Sequence, residues 1–233
     1  IANKSEQEHY IIGWISRRDR NLDSGHWRWG GQLVAHRLVQ RPDGTLGARM
    51  VDSVRAAFAR ELALEPERVA GEWSITGKSY ASRATSRRPN TAPAPLKDSS
   101  RSLLRLRTLP ERCLFGMTVT MSSHTGTAGL LLGGDSRLDT GLEVRLEGFR
   151  KSLRLTNAPD QYRVNQELER PLPFKPGAPV RVAGLIDNNC LTIYVDDNVA
   201  LSGRIYDRRD NVFGVFVQDT EAEFSNISIK AIR

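Results

Sequence analysis

The feature that most constrains the fold is a long succession of short apolar runs, each the length of a β-strand and each ended by turn residues. Residues 72–77 begin this succession, and glycine, asparagine or aspartate separates the later runs, as at Gly133-Gly134 and Asn188-Asn189. The further predicted strands are 102–108, 113–121, 128–132, 142–146, 153–156, 180–186, 191–195, 199–205, 212–217 and 222–229. Many short strands without a helical period predict an all-β fold in which residues 71–233 form a β-sandwich of two antiparallel sheets.

Alternation within the later runs supports a sheet with one face towards a core. In residues 191–195, apolar side chains alternate with more polar ones, which is the period of a β-strand. In the last run, Phe224 and Ile227 are both predicted to be buried although they are three residues apart, so an irregularity near Asn226 is expected. The Ser-, Arg- and Pro-rich segment 82–97 is predicted to be an exposed loop.

Residues 1–51 have a different organisation, typical of an isolated hairpin. Residues 10–16 and 32–39 are strand candidates, and a Pro-Asp-Gly turn at 42–44 returns the chain into a partner strand at 45–49. Ahead of this turn, the segment Trp27-Arg28-Trp29-Gly30-Gly31 places two indoles beside a diglycine. This segment predicts either a wall of a binding cleft or an aromatic plug at the end of a sheet.

A short helix is predicted between the hairpin and the sandwich. Asp52-Ser53 has the character of an N-cap, and Val54, Phe58 and Leu62 recur at helical spacing. The predicted domains are 1–51 as terminal strands, 52–70 as a linker helix and 71–233 as the β-sandwich. Because the chain begins almost directly on a strand, we expect that further residues precede it in the parent protein.

Two segments of the chain resemble glycoside hydrolase family 32, which comprises invertases, levanases and inulinases. The order Ile12-Gly13-Trp14-Ile15-Ser16, Trp29-Gly30-Gly31-Gln32-Leu33, an arginine-containing strand and an Asp-Gly turn resembles the last blade of that family's β-propeller. Residues 185–207, LIDNNCLTIYVDDNVALSGRIYD, followed by Gly214-Val215-Phe216-Val217, resemble its carboxy-terminal sandwich. The resemblance implies that residues 1–51 end a propeller, which the sandwich covers and supports.

The catalytic motifs of that family have no counterpart in this chain. Retaining glycosidases need a nucleophile and an acid/base carboxyl group, which the family places in Asn-Asp-Pro and Glu-Cys motifs, with a stabilising Asp in Arg-Asp-Pro. Here Arg18-Asp19 is followed by Arg20, and Glu111-Arg112-Cys113 has an intervening residue. We therefore predict that no residue of this chain is catalytic. A catalytic propeller half, from missing amino-terminal residues or a separate chain, is the implied partner.

Four residues are carried over as candidate carbohydrate contacts. An indole face packs on the C–H surface of a sugar, and a carboxamide binds two hydroxyl groups, so Trp29 and Gln32 are the leading candidates. Asp19 and Arg37 are predicted to support the same wall of the cleft. The implied ligand is a fructan or a sucrose-like carbohydrate.

No metal site and no cofactor is predicted. The aspartates that lie near strand ends, and are candidate Ca²⁺ ligands, are Asp187, Asp196, Asp197 and Asp207. Acidic turns are common without an ion, and the histidines have no spacing for zinc or for a catalytic triad. Cys113 and Cys190 lie in apolar runs and are predicted to be buried thiols, with a disulfide as the alternative if neighbouring strands bring them together.

The charge and the hydropathy of the chain limit its partners. The formal net charge is +7 and comes mainly from arginine, which raises the question of an anionic partner. Aromatic stacking positions and a groove-reading helix are not found, so nucleic-acid binding is not predicted. No window approaches the roughly eighteen apolar residues of a membrane span, and no signal peptide is visible. Whether the chain is secreted or cytoplasmic stays open.

Three functional hypotheses follow from these observations. The first is the carboxy-terminal part of a β-fructosidase-like glycoside hydrolase. The second is a lectin-like sandwich that binds glycans without cleaving them, although an open-edged hairpin has no evident use in a self-sufficient module. The third, a basic nucleic-acid-binding protein, depends on charge alone.

Overall fold

The computed structural model describes residues 4–5, 8–23, 25–84, 100–158, 168–207 and 210–233, and it confirms the all-β prediction. The first strands are β1 (Lys4–Ser5), β2 (Glu8–Arg18), β3 (Trp27–Gln40) and β4 (Leu46–Arg49), with a 3-10 turn at Asp19–Asn21. Helix α1 (Asp52–Ala57) precedes β5 (Phe58–Glu61), β6 (Glu67–Ala70), β7 (Trp73–Thr76), β8 (Ser79–Ala84), β9 (Arg101–Thr108) and β10 (Arg112–Met121). The later strands are β11 (Thr127–Gly134), β12 (Gly141–Glu147), β13 (Ser152–Ala158), β14 (Leu168–Pro171), β15 (Pro179–Asp187), β16 (Cys190–Val195), β17 (Val199–Arg204), β18 (Val212–Gln218) and β19 (Thr220–Ile232).

These strands form three antiparallel sheets. Sheet A has the order β1-β2-β3-β4. Sheet B has the order β17-β16-β15-β10-β19-β8-β7, with β5 also paired to β19, and sheet C has the order β14-β13-β12-β11-β18-β9-β6. Sheets B and C are the two layers of the predicted sandwich, and every predicted strand from 102 to 229 is present in them.

The main hydrophobic core lies between sheets B and C. It contains Phe115, Ile193 and Phe224 from sheet B together with Leu130 and Phe213 from sheet C. The Phe115 and Phe213 rings meet across the layers with centroids 5.3 Å apart. Burial of these apolar side chains is the main stabilising term of the sandwich.

The irregularity predicted near Asn226 is present in β19. Asn226 has a φ of 53°, and the register of β19 against β10 shifts between Gly116 and Thr118. The extra residue keeps both Phe224 and Ile227 in the core.

The helix is shorter than the predicted linker of residues 52–70. It ends at Ala57, because Phe58 begins an edge strand that pairs with Ile232 of β19 and thus gains sheet hydrogen bonds. Val51 occupies the N-cap position without a side-chain hydrogen bond, so the prediction of Asp52 as the N-cap is wrong. β5 and β6 instead extend sheets B and C, and the division into domains at residues 51 and 70 stays a prediction.

The predicted loop 82–97 is wrong at its start, because β8 extends to Ala84. Tyr80, Ser82 and Ala84 alternate into buried positions, and residues 80–84 pair with β19. The pairing satisfies backbone groups that a loop would leave to solvent. Residues 85–97 of the predicted loop lie outside the described residues.

Candidate functional site

Sheet A packs on the outer face of sheet B, the face directed away from the sandwich core. A second apolar cluster joins Met50, which directly follows β4, to Phe58, Leu114 and Tyr194 of sheet B. Leu114 alternates with core residues along β10, so its side chain points away from the sandwich core. The outer face of sheet B is therefore the surface against which sheet A packs, and we call this contact the junction.

Arg204, at the end of β17, links the junction through main-chain atoms of sheet A. Its guanidinium donates to the carbonyl oxygens of Ile15 and Ser16 at 3.0 Å each, and to Asn189 Oδ1 at 2.7 Å. A bulge in β3 beside Ser16 brings the chains close, and a Cβ atom on Gly31 would lie 1.8 Å from the Ile15 carbonyl oxygen. Because β2 and β3 approach so closely here, only glycine fits at position 31.

Asp23, in the turn between β2 and β3, closes a second part of the junction. Its carboxylate accepts hydrogen bonds from the backbone N–H groups of Tyr206 at 3.0 Å and Asp207 at 3.1 Å. Its own N–H donates to Asp207 Oδ2 at 3.0 Å. Burial raises the pKa of Asp23, although these hydrogen bonds act in the opposite direction.

A histidine–tyrosine pair lies at the centre of the junction. His36 Nδ1 lies 2.9 Å from Tyr194 Oη, and the two rings meet edge to face. Burial lowers the pKa of His36 and raises the pKa of Tyr194 to about 12. Both side chains are therefore neutral near pH 7, which suits a partly desolvated contact.

Gln32, one of the four candidate carbohydrate contacts, faces this junction. Its Nε2 donates to Asp187 Oδ2 at 2.8 Å, and the Cys190 thiol lies 3.2 Å from its Oε1. The carboxamide thus makes structural contacts between β3 and sheet B, and its role in sugar binding stays a prediction.

Trp29, the second candidate, lies on the opposite side of sheet A. It is 87% exposed and meets the half-exposed ring of Trp14 edge to face, with centroids 5.1 Å apart. Trp27 lies nearby, under the guanidinium of Arg18 at 4.0 Å from the ring centroid. An exposed indole on an indole support is suited to stacking against a ligand or another protein surface.

Asp19 and Arg37, the remaining candidates, form ion pairs at opposite ends of the β2–β3 hairpin. Asp19 pairs with Arg28, while Arg37 lies 2.6 Å from Asp52 and 3.0 Å from Glu8. The four candidates do not converge, since Gln32 and Arg37 alone are separated by about 16 Å along the strand.

Exposed large apolar side chains are concentrated in sheet A. The outer face of its β2–β3 hairpin carries Ile12, Trp14, Trp29 and Leu33, and Leu33 is 72% exposed. A contiguous apolar patch of this kind indicates a surface that another structure covers. We call these four residues the apolar patch of sheet A.

A second conspicuous surface is the outer face of sheet C, which sequence reasoning missed. Its ion pairs are Arg101–Glu143 at 2.7 Å, Arg145–Glu143 at 2.5 Å, Arg145–Glu147 at 2.9 Å, Arg154–Glu147 at 2.8 Å and Arg150–Glu147 at 3.4 Å. We call these six residues the Arg/Glu cluster. The alternating charges of Glu143, Arg145 and Glu147 within β12 were the available signal, because their spacing of two places them on one face.

The Arg/Glu cluster is largely removed from solvent. The side chain of Glu143 is 1% exposed and that of Arg101 is 26% exposed. The floor beneath them is Phe216, with the Arg101 guanidinium 4.5 Å from its ring centroid. Burial alone would lower the pKa of Arg145, but attraction to the two glutamates raises it.

The candidate metal ligands engage other groups. Asp187 pairs with Arg112 at 2.9 Å, and Asp196 lies 3.5 Å from Arg181. Among the described residues, no group of three or more His, Cys, Asp or Glu side chains has the arrangement of a metal site. None of the helices in the described part of the chain is long and apolar enough to cross a membrane.

The two cysteines lie on opposite faces of sheet B. Cys113 is in the main core, whereas Cys190 faces Gln32 in the junction. This confirms the prediction of two buried thiols and excludes the alternative of a disulfide between them.

Solved structures of carbohydrate-active proteins share this fold. Sucrose-6-phosphate hydrolase from Lactobacillus gasseri is 12% identical, with a TM-score of 0.59 over 100% of this chain and 40% of that chain. Exo-inulinase from Aspergillus awamori is 10% identical, with a TM-score of 0.61 over 99% of this chain and 41% of the enzyme. The carbohydrate-binding module CBM66 from Bacillus subtilis is 15% identical, with a TM-score of 0.56 over 71% of this chain and 95% of the module.

At these identities the likeness shows the fold alone. The chain spans about two fifths of the length of the two hydrolases. No protein-family model matches the sequence, and a comparison with curated proteins finds no significant match.

Proposed function

We propose that this chain is the carboxy-terminal portion of a β-fructosidase-like glycoside hydrolase that acts on fructans or sucrose. In this proposal sheet A is the last blade of a catalytic β-propeller, and the sandwich supports and covers that propeller. The other blades come from preceding residues or from a second chain.

The observation that carries the proposal is the apolar patch of sheet A. Trp29 and Leu33 are largely exposed, and Ile12 and Trp14 are about half exposed, on a sheet whose opposite face packs in part against the sandwich through Gln32 and His36. A four-stranded sheet with one buried face and one exposed apolar face is what remains when the neighbouring blade of a propeller is taken away.

The comparisons support the same proposal. The likeness to the two hydrolases extends over the full length of this chain, so it includes sheet A as well as the sandwich. Their names state activity on sucrose 6-phosphate and inulin, which are both fructosides. Together with the family 32 resemblance of the two sequence segments, these names supply the proposed substrate class.

The proposed catalytic groups lie outside this chain. A retaining mechanism needs two carboxyl groups about 5 Å apart at one reaction centre. Asp19, the candidate carboxylate of sheet A, is already paired with Arg28. In this proposal Trp29 forms part of the sugar-binding wall, and the preceding blades supply the nucleophile and the acid/base.

The test is to express the chain together with the polypeptide encoded upstream of Ile1. We expect fructose release from sucrose, inulin or levan by the longer protein, and its loss when the aspartate of an upstream Asn-Asp-Pro motif is changed to asparagine. The 233-residue chain alone should release none. Fructose release by the rigorously purified chain alone, abolished by a carboxylate substitution within it, would contradict the proposal.

A second candidate is a lectin-like sandwich that binds carbohydrate without cleaving it. The specific observation in its favour is the likeness to the binding module, which covers 95% of that module and 71% of this chain. A longer protein that binds fructans with no hydrolase activity would favour this candidate.

A further inference from the structure

We infer that a depression on the outer face of sheet B binds one sugar ring through its hydroxyl groups. The depression has a volume of about 240 Å³ and lies beside the junction, since Tyr194 belongs to both. The residues that form it come from β10, β15, β19 and the turn after β16, and include Gly116, Thr118, Arg181, Ala183, Asp196 and Ser228. We call it the polar depression. The inference rests on the proposed function for the class of ligand, and on the geometry of these residues for its location.

Small residues on neighbouring strands form the floor of the polar depression. Gly116 lies directly opposite Ala183 of β15 on one side and Ser228 of β19 on the other. Gly116 alternates with Met117 of the main core, so its position faces away from the sandwich core. Tyr194, opposite Ala183 in β16, closes the side towards the junction. The depression is therefore part of the outer sheet surface and is open to solvent.

The backbone does not require glycine at position 116. Its φ is not in the left-handed region, and an added Cβ atom would lie 3.5 Å from Ser228 Oγ and 3.9 Å from the Val182 carbonyl oxygen, which are ordinary contacts. Glycine in the interior of a strand weakens the strand, and it often marks a place where a ligand approaches closely. A role in keeping the space above it open explains this glycine.

Polar groups with unused hydrogen-bonding capacity surround that space. The hydroxyl groups of Thr118 and Ser228 form no hydrogen bond within the part of the chain that the structure describes. Asp196 accepts from the Arg181 backbone N–H at 2.9 Å through Oδ1, whereas its Oδ2 accepts no hydrogen bond from the described residues. The Arg181 side chain is 70% exposed. These donors and acceptors are therefore accessible to a ligand in the depression.

The charged groups around the depression balance one another. Arg55 and Arg181 carry two positive charges, and Asp196 and Asp197 carry two negative charges. The two ion pairs are long, with Arg181 Nε 3.5 Å from Asp196 and Arg55 Nη2 3.9 Å from Asp197. A sugar hydroxyl donates to a carboxylate while it accepts from a guanidinium, and hydrogen bonds to charged groups are stronger than neutral ones. A neutral ligand with many hydroxyl groups suits this arrangement better than an anion or a cation does.

The size of the depression limits the ligand. Pockets for drug-sized molecules have volumes of roughly 300–1,000 Å³. At about 240 Å³, the polar depression suits one sugar ring. Further units of a fructan would extend from its open side into solvent.

The test uses the full 233-residue chain and follows backbone amide signals by NMR during titration with fructose, sucrose and short fructans. We expect the signals of Gly116, Ala183 and Ser228 to shift in a saturable way. Thr118→Val keeps the shape of the side chain but removes its hydroxyl group, so it should weaken the affinity about fivefold. Thr120→Val is the matched control and should leave the affinity unchanged. Thr120 lies on the same strand and face but does not line the depression.

A second pair of variants tests the space above Gly116. Gly116→Ala fits the backbone and places a methyl group in the depression. It should abolish saturation at sugar concentrations that saturate the wild type, while the thermal midpoint is kept or raised, because alanine reduces the conformational entropy of the unfolded chain. Gly13→Ala in sheet A is the control, because its added Cβ atom would meet nothing within 4 Å. It should leave the sugar affinity unchanged.

Three outcomes overturn the inference. The first is the absence of a saturable shift with any of these sugars up to their solubility limits. The second is a wild-type sugar affinity in both Thr118→Val and Gly116→Ala. The third is a saturable shift with sulfate and not with sugars, which would make the depression an anion site.

Failure here is distinguishable from failure of the proposed function. A longer protein that releases fructose keeps its function even if the polar depression binds no sugar. Binding in the depression is in turn measured on the 233-residue chain, without any hydrolase activity.

Discussion

The outer faces of the two sandwich sheets are stabilised in different ways. On sheet B, another part of the same chain covers the face, and neutral hydrogen bonds and apolar packing hold it there, as at Gln32 and Met50. On sheet C, the face is held by ion pairs among arginines and glutamates of the sheet itself. The difference teaches that an outer face of a sandwich can be stabilised either by apolar packing with neutral hydrogen bonds or by ion pairs that satisfy one another.

The largest expected effect is on the charged face. Glu143→Gln removes a buried carboxylate that pairs with Arg101 and Arg145, while Arg145 keeps Glu147, and we expect a loss of about 3 kcal/mol in the free energy of unfolding. Urea denaturation measures it. Glu67→Gln is the control, because Glu67 is exposed and pairs with Arg105 on the same sheet. Similar small losses in both variants would mean that burial does not distinguish these ion pairs.

A smaller effect is expected on the neutral face. Gln32→Ala removes the donor to Asp187 and the acceptor near Cys190, and should cost about 1–2 kcal/mol by the same denaturation measurement. Gln40→Ala, at the exposed end of the same strand, should be almost neutral. If the two glutamine variants lose equal stability, the junction does not depend on the Gln32 contacts.

The junction should also respond to pH through His36. Burial lowers its pKa, so the folded state binds fewer protons than the unfolded state below the ordinary value near 6.5. The full stability of the junction is therefore present above pH 6.5, where His36 is neutral in both states. It is lost as the pH falls towards the lower pKa that His36 has in the folded protein. His36→Gln should flatten the fall in unfolding midpoint between pH 7.5 and pH 5. An unchanged slope in this variant would assign the pH dependence to other groups.

The smallest effect on stability is expected at the apolar patch of sheet A. Trp29→Ser should change the free energy of unfolding by less than about 0.5 kcal/mol, because the indole is already in solvent. It should nevertheless reduce self-association in sedimentation velocity, since it shrinks the exposed patch. Phe149→Ser is the matched control, with a ring 86% exposed away from sheet A. Equal effects of the two variants on association would show that the patch has no special role.

The strands could be predicted from the sequence because their signal is local. The alternation at Leu191 and Ile193, and the irregularity at Asn226, follow from the period of a strand within a few residues. The helix end was missed because Phe58 pairs with β19, which lies at the other end of the chain. Tertiary pairing of this kind overrides local helix propensity.

The surfaces could be predicted only in part. The exposure of Trp29 fits its proposed place on a cleft wall, but the partial burial of Gln32 involves Asp187, which is 155 residues away. The Arg/Glu cluster likewise needs β9, β12 and β13 to lie in one sheet in the correct register. The spacing of residues along the sequence does not reveal contacts between strands that are far apart in the chain. The alternation of charges within β12 was therefore the one local indication of the Arg/Glu cluster.

The junction described at Arg204 has a consequence for how this protein diverges. Arg204 binds carbonyl oxygens of residues 15 and 16, and Asp23 binds the backbone N–H groups of residues 206 and 207. Because these partners are main-chain atoms, a substitution of the side chain at any of these four positions leaves these particular hydrogen bonds in place. For these hydrogen bonds the side-chain requirement therefore falls on Arg204 and Asp23, with Gly31 needed for the close approach, so this part of the attachment tolerates wide sequence change around it.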